Sequence, residues 1–148
     1  MDRDTAELSG ETMLVEPPRP VPAGPVVVSV CISCKASDGS GVVVGAEMFE
    51  AVNAALGDPA IMVRPVQCLS VCKRPATVAV TSPDGYTFLF GDLQTDSGTA
   101  ALVSFVKSYQ KSDYGLVPWR ERAEVLRKGM VARVPPMRWS PDDGRAPK

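Results

Sequence analysis

Residues 76–90 read ATVAVTSPDGYTFLF. Two runs rich in valine, threonine and aromatic residues flank Pro83-Asp84-Gly85. That tripeptide favours a tight reversal, so the stretch predicts a β-hairpin with strands over 76–82 and 86–90. Upstream, VVVSVCI (26–32) is a β-branched run that reads as a buried strand. SCKASDGSG (33–41) is a polar, glycine-rich loop. Residues 44–56 place Met48, Val52, Ala55 and Leu56 on one helical face, and Gly57-Asp58-Pro59 ends that helix. IMVRPVQ (61–67) is a second strand, which Pro65 confines to a sheet edge.

Downstream, Thr95 or Asp96 is placed to cap a helix with Leu102, Phe105, Val106 and Tyr109 on one stripe. Residues 115–118 break the chain, Trp119 to Lys128 read as a short basic helix ended by Gly129, and RVPPM (133–137) is extended. The order is β-α-β, then a hairpin, then a helix. A β-α-β unit implies parallel strands joined by a right-handed crossover. The expected fold is therefore α/β, a thioredoxin-like mixed sheet with helices on both faces.

Composition bounds the organisation. A chain of 148 residues, 45% hydrophobic and 22% charged, supports one folded domain. EPPRPVPAGP (16–25) is half proline, so residues 1–25 are expected to be a disordered, acidic, proline-rich segment. Residues 26–113 form the expected thioredoxin-like domain. Residues 114–138 supply a basic helix and extended tail that pack on it, and 139–148 are frayed. Tyr114, Trp119 and Trp139 are expected to turn toward the sheet.

The net charge of −1 gives no electrostatic case for nucleic acid. No apolar run approaches the roughly 20 residues a membrane helix needs. The acidic N-terminus is unlike a secretory signal, so the cytoplasm is the expected compartment. There, clustered cysteines more often bind metal or do redox chemistry than form structural disulfides.

The four cysteines fall in two pairs, CISCK (31–35) and CLSVCKRP (68–75), and there is no histidine. Lack of imidazole excludes Ser-His-Asp and Cys-His nucleophilic systems, mixed Cys/His zinc sites and a Rieske centre. Cys31 and Cys34 lie at the C-terminal end of the first strand, and Cys68 and Cys72 just past the C-terminal end of the second. Parallel strands emerge at the same sheet edge about 4.8 Å apart. Four sulfurs are thus brought together by topology. Four thiolates suit either zinc or an iron–sulfur cluster, and spacing alone leaves both open. A thiol–disulfide exchange dithiol is a third possibility, although the loop after Cys34 separates it from the helix start that would activate it.

CLSVCKRPATVAVTSPDGYTFLFGDL (68–93) resembles the C-terminal half of the thioredoxin-like 2Fe-2S ferredoxins, where C-x₃-C precedes a similar strand–turn–strand. Pro75 looks like the proline, often cis, that opens this strand in the thioredoxin-like fold. The longer span 27–138, with CISCK and YGLVPWRERAEVLRKGMVARVPPM, is similar to a bacterial family of unknown function whose members are described as small metal-binding proteins. The ferredoxins separate their first two cysteines more widely than Cys31 and Cys34, so the likeness is stronger for Cys68 and Cys72.

The resemblance implies an electron-transfer protein, not a catalyst, carrying a 2Fe-2S cluster on Cys31, Cys34, Cys68 and Cys72. The alternative cofactor is zinc, held by the same four cysteines in a zinc- or cobalt-handling protein. Lys35, Lys73 and Arg74 flank the ligands, where cations favour the reduced cluster. A redox partner protein is expected; such ferredoxins are often homodimers, although the sequence itself carries no interface signature.

Overall fold

The computed structural model describes residues 25–137. The expected disordered segment, apart from Pro25, and the expected frayed end 139–148 with Trp139 lie outside the described residues. The elements are β1 (Val26–Cys31), α1 (Val44–Ala55), β2 (Ile61–Val66), β3 (Val78–Ser82), β4 (Gly85–Phe90), α2 (Thr95–Lys111), α3 (Glu124–Lys128) and β5 (Met130–Val134). Two single 3₁₀ turns, Asp113–Gly115 and Trp119–Glu121, link α2 to α3.

The five strands form one sheet in the order β2-β1-β3-β4-β5. β1 and β2 run parallel, whereas β1/β3, β3/β4 and β4/β5 are antiparallel. This is the thioredoxin-like α/β arrangement that the element order implies. β2 is an edge strand, which is where Pro65, lacking an N–H, is tolerated.

Register explains the core. Val28 pairs with Val80 and Val30 with Val78, which in turn face Phe88 and Phe90 across the hairpin. All six are fully buried and share one face of the sheet, as alternation along a strand dictates. Met48 and Val52 of α1, and Leu102, Phe105, Val106 and Tyr109 of α2, pack in the same cluster. The Phe105 ring lies 5.0 Å from Phe88 and 5.1 Å from Phe90, edge-on to both. At roughly 1.5–3 kcal/mol per buried large apolar side chain, this one layer carries most of the stabilisation. The Tyr109 hydroxyl anchors α2 to the hairpin, donating to the Tyr86 carbonyl at 2.6 Å and lying 3.0 Å from Ser82 Oγ.

Several details differ from the sequence expectation. Both long helices contact each other and cover the same sheet face, so helices on both faces are not found among the described residues. A short segment without helix, 67–77, joins β2 to β3, and among the described residues the opposite face has no helix over it. Ala55 is exposed at the last turn of α1, and Leu56 closes that face alone. Gln94, not Thr95 or Asp96, occupies the N-cap of α2, and its side chain makes no capping bond.

The expected basic helix is split. Arg122 and Ala123 take extended backbone angles, and the Arg122 guanidinium turns back onto the Val117 carbonyl at 3.0 and 2.9 Å. Trp119, expected to pack on the sheet, is 56% exposed, whereas Tyr114 does pack against the core. The extended tail proves to be a fifth strand, beginning at Met130 and ending before Pro135 and Pro136.

Gly45 sets how closely α1 approaches the sheet. A Cβ built there would meet the Cys31 carbonyl oxygen at 2.0 Å and the Cys34 amide nitrogen at 3.2 Å. Both obstacles are backbone and cannot swing aside. Gly45→Ala is therefore expected to destabilise the metal-free protein by about 3 kcal/mol or more, as overpacking does at its severe end. A urea midpoint equal to that of the wild type would contradict this packing.

Candidate metal centre

β1 ends at Cys31, whose N–H donates to the Thr77 carbonyl at 3.1 Å. The next residue, Ile32, donates to the Val66 carbonyl at 2.9 Å, and the Gly45 N–H donates to the Cys34 carbonyl at 3.1 Å. The CISC turn is thereby held between the ends of β2 and β3 and the first turn of α1. Cys31 and Cys34 are buried, with relative exposures of 1% and 3%, whereas Cys68 and Cys72 are exposed. The second pair rides on the 67–77 segment, where Ser70 adopts a left-handed φ of 61°.

The sulfurs form two close couples. Cys34 Sγ lies 3.2 Å from Cys31 Sγ, and Cys68 Sγ lies 4.0 Å from Cys72 Sγ. The couples adjoin one another at the same sheet edge, as the parallel pairing of β1 and β2 requires. Cys31 Sγ is 3.7 Å from the carbonyl of Gln67, the residue before Cys68. Among the described residues, no group of three or more cysteines and acidic side chains is gathered around a point to hold a single metal ion.

Ionisation reflects this crowding. Burial pushes the Cys31 thiol up, but hydrogen bonding with Ser33 and Cys34, and with the backbone at Ser33 and Leu69, outweighs it and brings the value to about 7. Cys34 is pushed up to about 11 by burial, by its bond to Cys31 and by the nearby charges of Cys31 and Cys72. Cys72 is raised by its hydrogen bond and charge interaction with Cys68, and also by the charge of Cys31. Thiolates of one couple therefore disfavour thiolates of the other.

Ser33 is the side chain that composition and spacing did not single out. Its hydroxyl donates a short hydrogen bond to the Gln67 carbonyl and lies 3.6 Å from Cys31 Sγ, tying the first cysteine loop to the second. Ser70 N–H donates to Cys68 Sγ at 3.1 Å, and Thr77 Oγ1 lies 3.6 Å from Cys34 Sγ. A polar residue inside a cysteine turn was the available signal.

Lys35 and Lys73, which follow Cys34 and Cys72 in the chain, are exposed. Arg74 instead directs Nε to Asp92 Oδ2 at 2.7 Å and Nη2 to the Lys128 carbonyl at 3.3 Å, bracing the segment against the C-terminal extension. The cis peptide among the described residues is Pro75–Ala76, the bond after the proline and not the one before it that the resemblance implies. A cleft of about 450 Å³, lined by residues including Asp38, Val44, Pro75, Asp92 and Thr95, opens nearby, and no cysteine lines it.

With this geometry in place, a family model described as "Protein of unknown function (DUF1636)" matches residues 28–136. The chain belongs to the DUF1636 family. No curated protein matches the DUF1636 chain significantly. Among solved structures, it is similar to the wild-type thioredoxin-like 2Fe-2S ferredoxin from Aquifex aeolicus at 1.5 Å, with 18% identity, a TM-score of 0.46, and coverage of 72% of this chain and 96% of that one. A second structure of a thioredoxin-like 2Fe-2S ferredoxin from that organism gives 18% identity, a TM-score of 0.48, and coverage of 77% and 97%. No helix among the described residues of this DUF1636 protein is long and apolar enough to cross a membrane.

Removing the Ser33 hydroxyl takes away a contact that lowers the Cys31 value. In metal-free protein, Ser33→Ala is expected to shift the first thiolate titration from about 7 to higher pH, so the thiolate signal at neutral pH falls. Ultraviolet thiolate absorbance followed against pH measures this. An unshifted first step would remove Ser33 from the site.

Proposed function

We propose that this protein carries a 2Fe-2S cluster on Cys31, Cys34, Cys68 and Cys72 and serves as a one-electron carrier. The observation that supports the reading most directly is the adjacency of two separate sulfur couples at one sheet edge. Two thiolates on one tetrahedral metal, with bonds of about 2.3 Å, stand about 3.8 Å apart. The couples, at 3.2 and 4.0 Å, bracket that value, so each suits one metal ion. Two neighbouring two-sulfur couples suit a binuclear centre better than a single zinc, which needs all four sulfurs around one point.

The surroundings fit a negative sulfur-rich group. The Ser70 N–H donates to the Cys68 sulfur, and the exposed Lys35 and Lys73 follow Cys34 and Cys72 directly in the chain. Donors of this kind stabilise charge on thiolate sulfur and raise reduction potential. When bound, the cluster would supply one-electron transfer, with the exposed Cys68/Cys72 couple as the side that faces a partner protein. A carrier needs no substrate pocket, and the neighbouring cleft contributes none of the sulfurs.

A dithiol reading has one point in its favour, the split between Cys31 and Cys34 ionisation. Against it, both sulfurs are buried, so an incoming disulfide has no line of attack.

Anaerobic reconstitution tests the proposal. The expected product is coloured, contains two irons and two sulfides per chain, and gives an electron paramagnetic resonance signal on one-electron reduction. Cys34→Ala and Cys72→Ala are each expected to lose the cluster, since each leaves one iron with a single protein ligand. A colourless protein that takes one zinc per chain and no iron would overturn the reading.

A further inference from the structure

The segment 114–137 lies outside the β-α-β and hairpin units and contains no cysteine, yet it is chemically distinctive. It holds five basic residues, Arg120, Arg122, Arg127, Lys128 and Arg133, against two acidic ones, Glu121 and Glu124. Lys128 takes Glu124 at 3.0 Å. Among the described residues, none of the four arginines is ion-paired, and the Arg127 Nε is buried without a hydrogen-bond partner.

Two of these arginines, Arg122 and Arg133, are contiguous with Trp119. The Arg122 guanidinium, on a residue only 7% exposed, lies between two rings, 5.2 Å from Phe88 and 5.4 Å from Trp119. Arg133 pairs with Phe88 in the β4/β5 ladder and stacks over Tyr86 at 5.2 Å. Burial of Arg122 and the charge of Arg133 both lower the affinity of Arg122 for its proton. Trp119 covers Arg122 yet remains 56% exposed.

Structural duty accounts for part of this. Arg122 holds the Val117 carbonyl and its charge is spread between aromatic faces, an arrangement that tolerates burial. It does not account for a second arginine set beside the first, where like charges repel. Nor does it explain a half-exposed tryptophan over the buried cation. Exposed tryptophan with neighbouring arginine is the composition that dominates binding energy at protein interfaces. Arginine's planar fork matches a carboxylate, and an unpaired one beside a second cation favours an anion.

We propose that the Trp119–Arg122–Arg133 surface docks an acidic segment of a partner protein, with a carboxylate on Arg133 and an apolar side chain against the Trp119 ring. The surface does not involve the cysteines, so this inference stands or falls independently of the cluster.

The test is calorimetric titration of the full, metal-free chain with an acetylated peptide of repeated Glu-Glu-Leu, beside a Lys-Lys-Leu peptide and an oligouridylate. Saturable binding of the acidic peptide is expected, weakened about tenfold by Arg133→Gln, a loss of about 1.4 kcal/mol. Trp119→Ala is expected to weaken it as well. Should that variant fail to fold by circular dichroism, Arg133→Gln decides alone. Binding should disappear near 1 M salt, where the screening length is about 3 Å. Equal binding of the basic peptide, tighter binding of the oligouridylate, or an affinity unchanged by Arg133→Gln would each overturn the proposal.

Discussion

Cys31 and Val66 are partners in a parallel ladder, and that pairing decides where every sulfur in the molecule can go. Parallel strands leave the sheet in the same direction. The chain leaving β1 therefore enters the CISC turn beside the chain leaving β2, which reaches Cys68 two residues later. An antiparallel partner would have carried the second couple to the far end of the sheet. The crossover through α1 enforces the parallel sense, and Gly45 lets α1 lie directly on the Cys31 carbonyl. Fold and site are thus one constraint seen at two scales.

The two couples are unequal because their supports are unequal. Cys31 and Cys34 sit on a turn bounded on three sides by β3, the end of β2 and α1, and they are buried. Cys68 and Cys72 sit on a segment with no regular secondary structure and face solvent. Burial raises the free energy of a thiolate, and Ser33 and Leu69 offset this at Cys31 but not at Cys34. One side of the edge is therefore desolvated and braced by strands, and the other is hydrated and braced by a loop, although both present the same atom type. That gradient gives the site an inside and an outside.

The sequence made the strands of the first two-thirds legible, because VVVSVC and ATVAVTSPDGYTFLF carry β-branched runs and a turn signal whose meaning is local. It also made the cysteine edge legible, since strand direction follows from chain order. What it hid depends on contacts distant along the chain. β5 has no alternation to announce it, and it exists because β4 offers an unpaired edge to Met130–Val134. Ser33 looks like any loop serine until the Gln67 carbonyl is placed opposite it. The single-sided helix layer follows from the absence of a helix between β2 and β3, a feature that turn-rich CLSVCKRP does not advertise. Arg74 reads as a cation beside sulfurs, whereas Asp92, held at a left-handed φ of 57°, takes its guanidinium.

Arg74 also joins the two halves of the molecule. Its second nitrogen reaches the Lys128 carbonyl at the end of α3, and the Gly91 N–H donates to the Gly129 carbonyl at 2.7 Å. A Cβ at Gly129 would stand 2.4 Å from the Gly91 carbonyl oxygen, so the extension meets the end of β4 backbone to backbone. The strand that follows converts β4 from an edge into an interior strand and removes a row of unpaired backbone groups. Cys72 is two residues from Arg74, which places the mount of the exposed sulfurs against the extension itself. Displacing α3 would therefore loosen Arg74, and with it the segment that presents Cys68 and Cys72, without touching any sulfur.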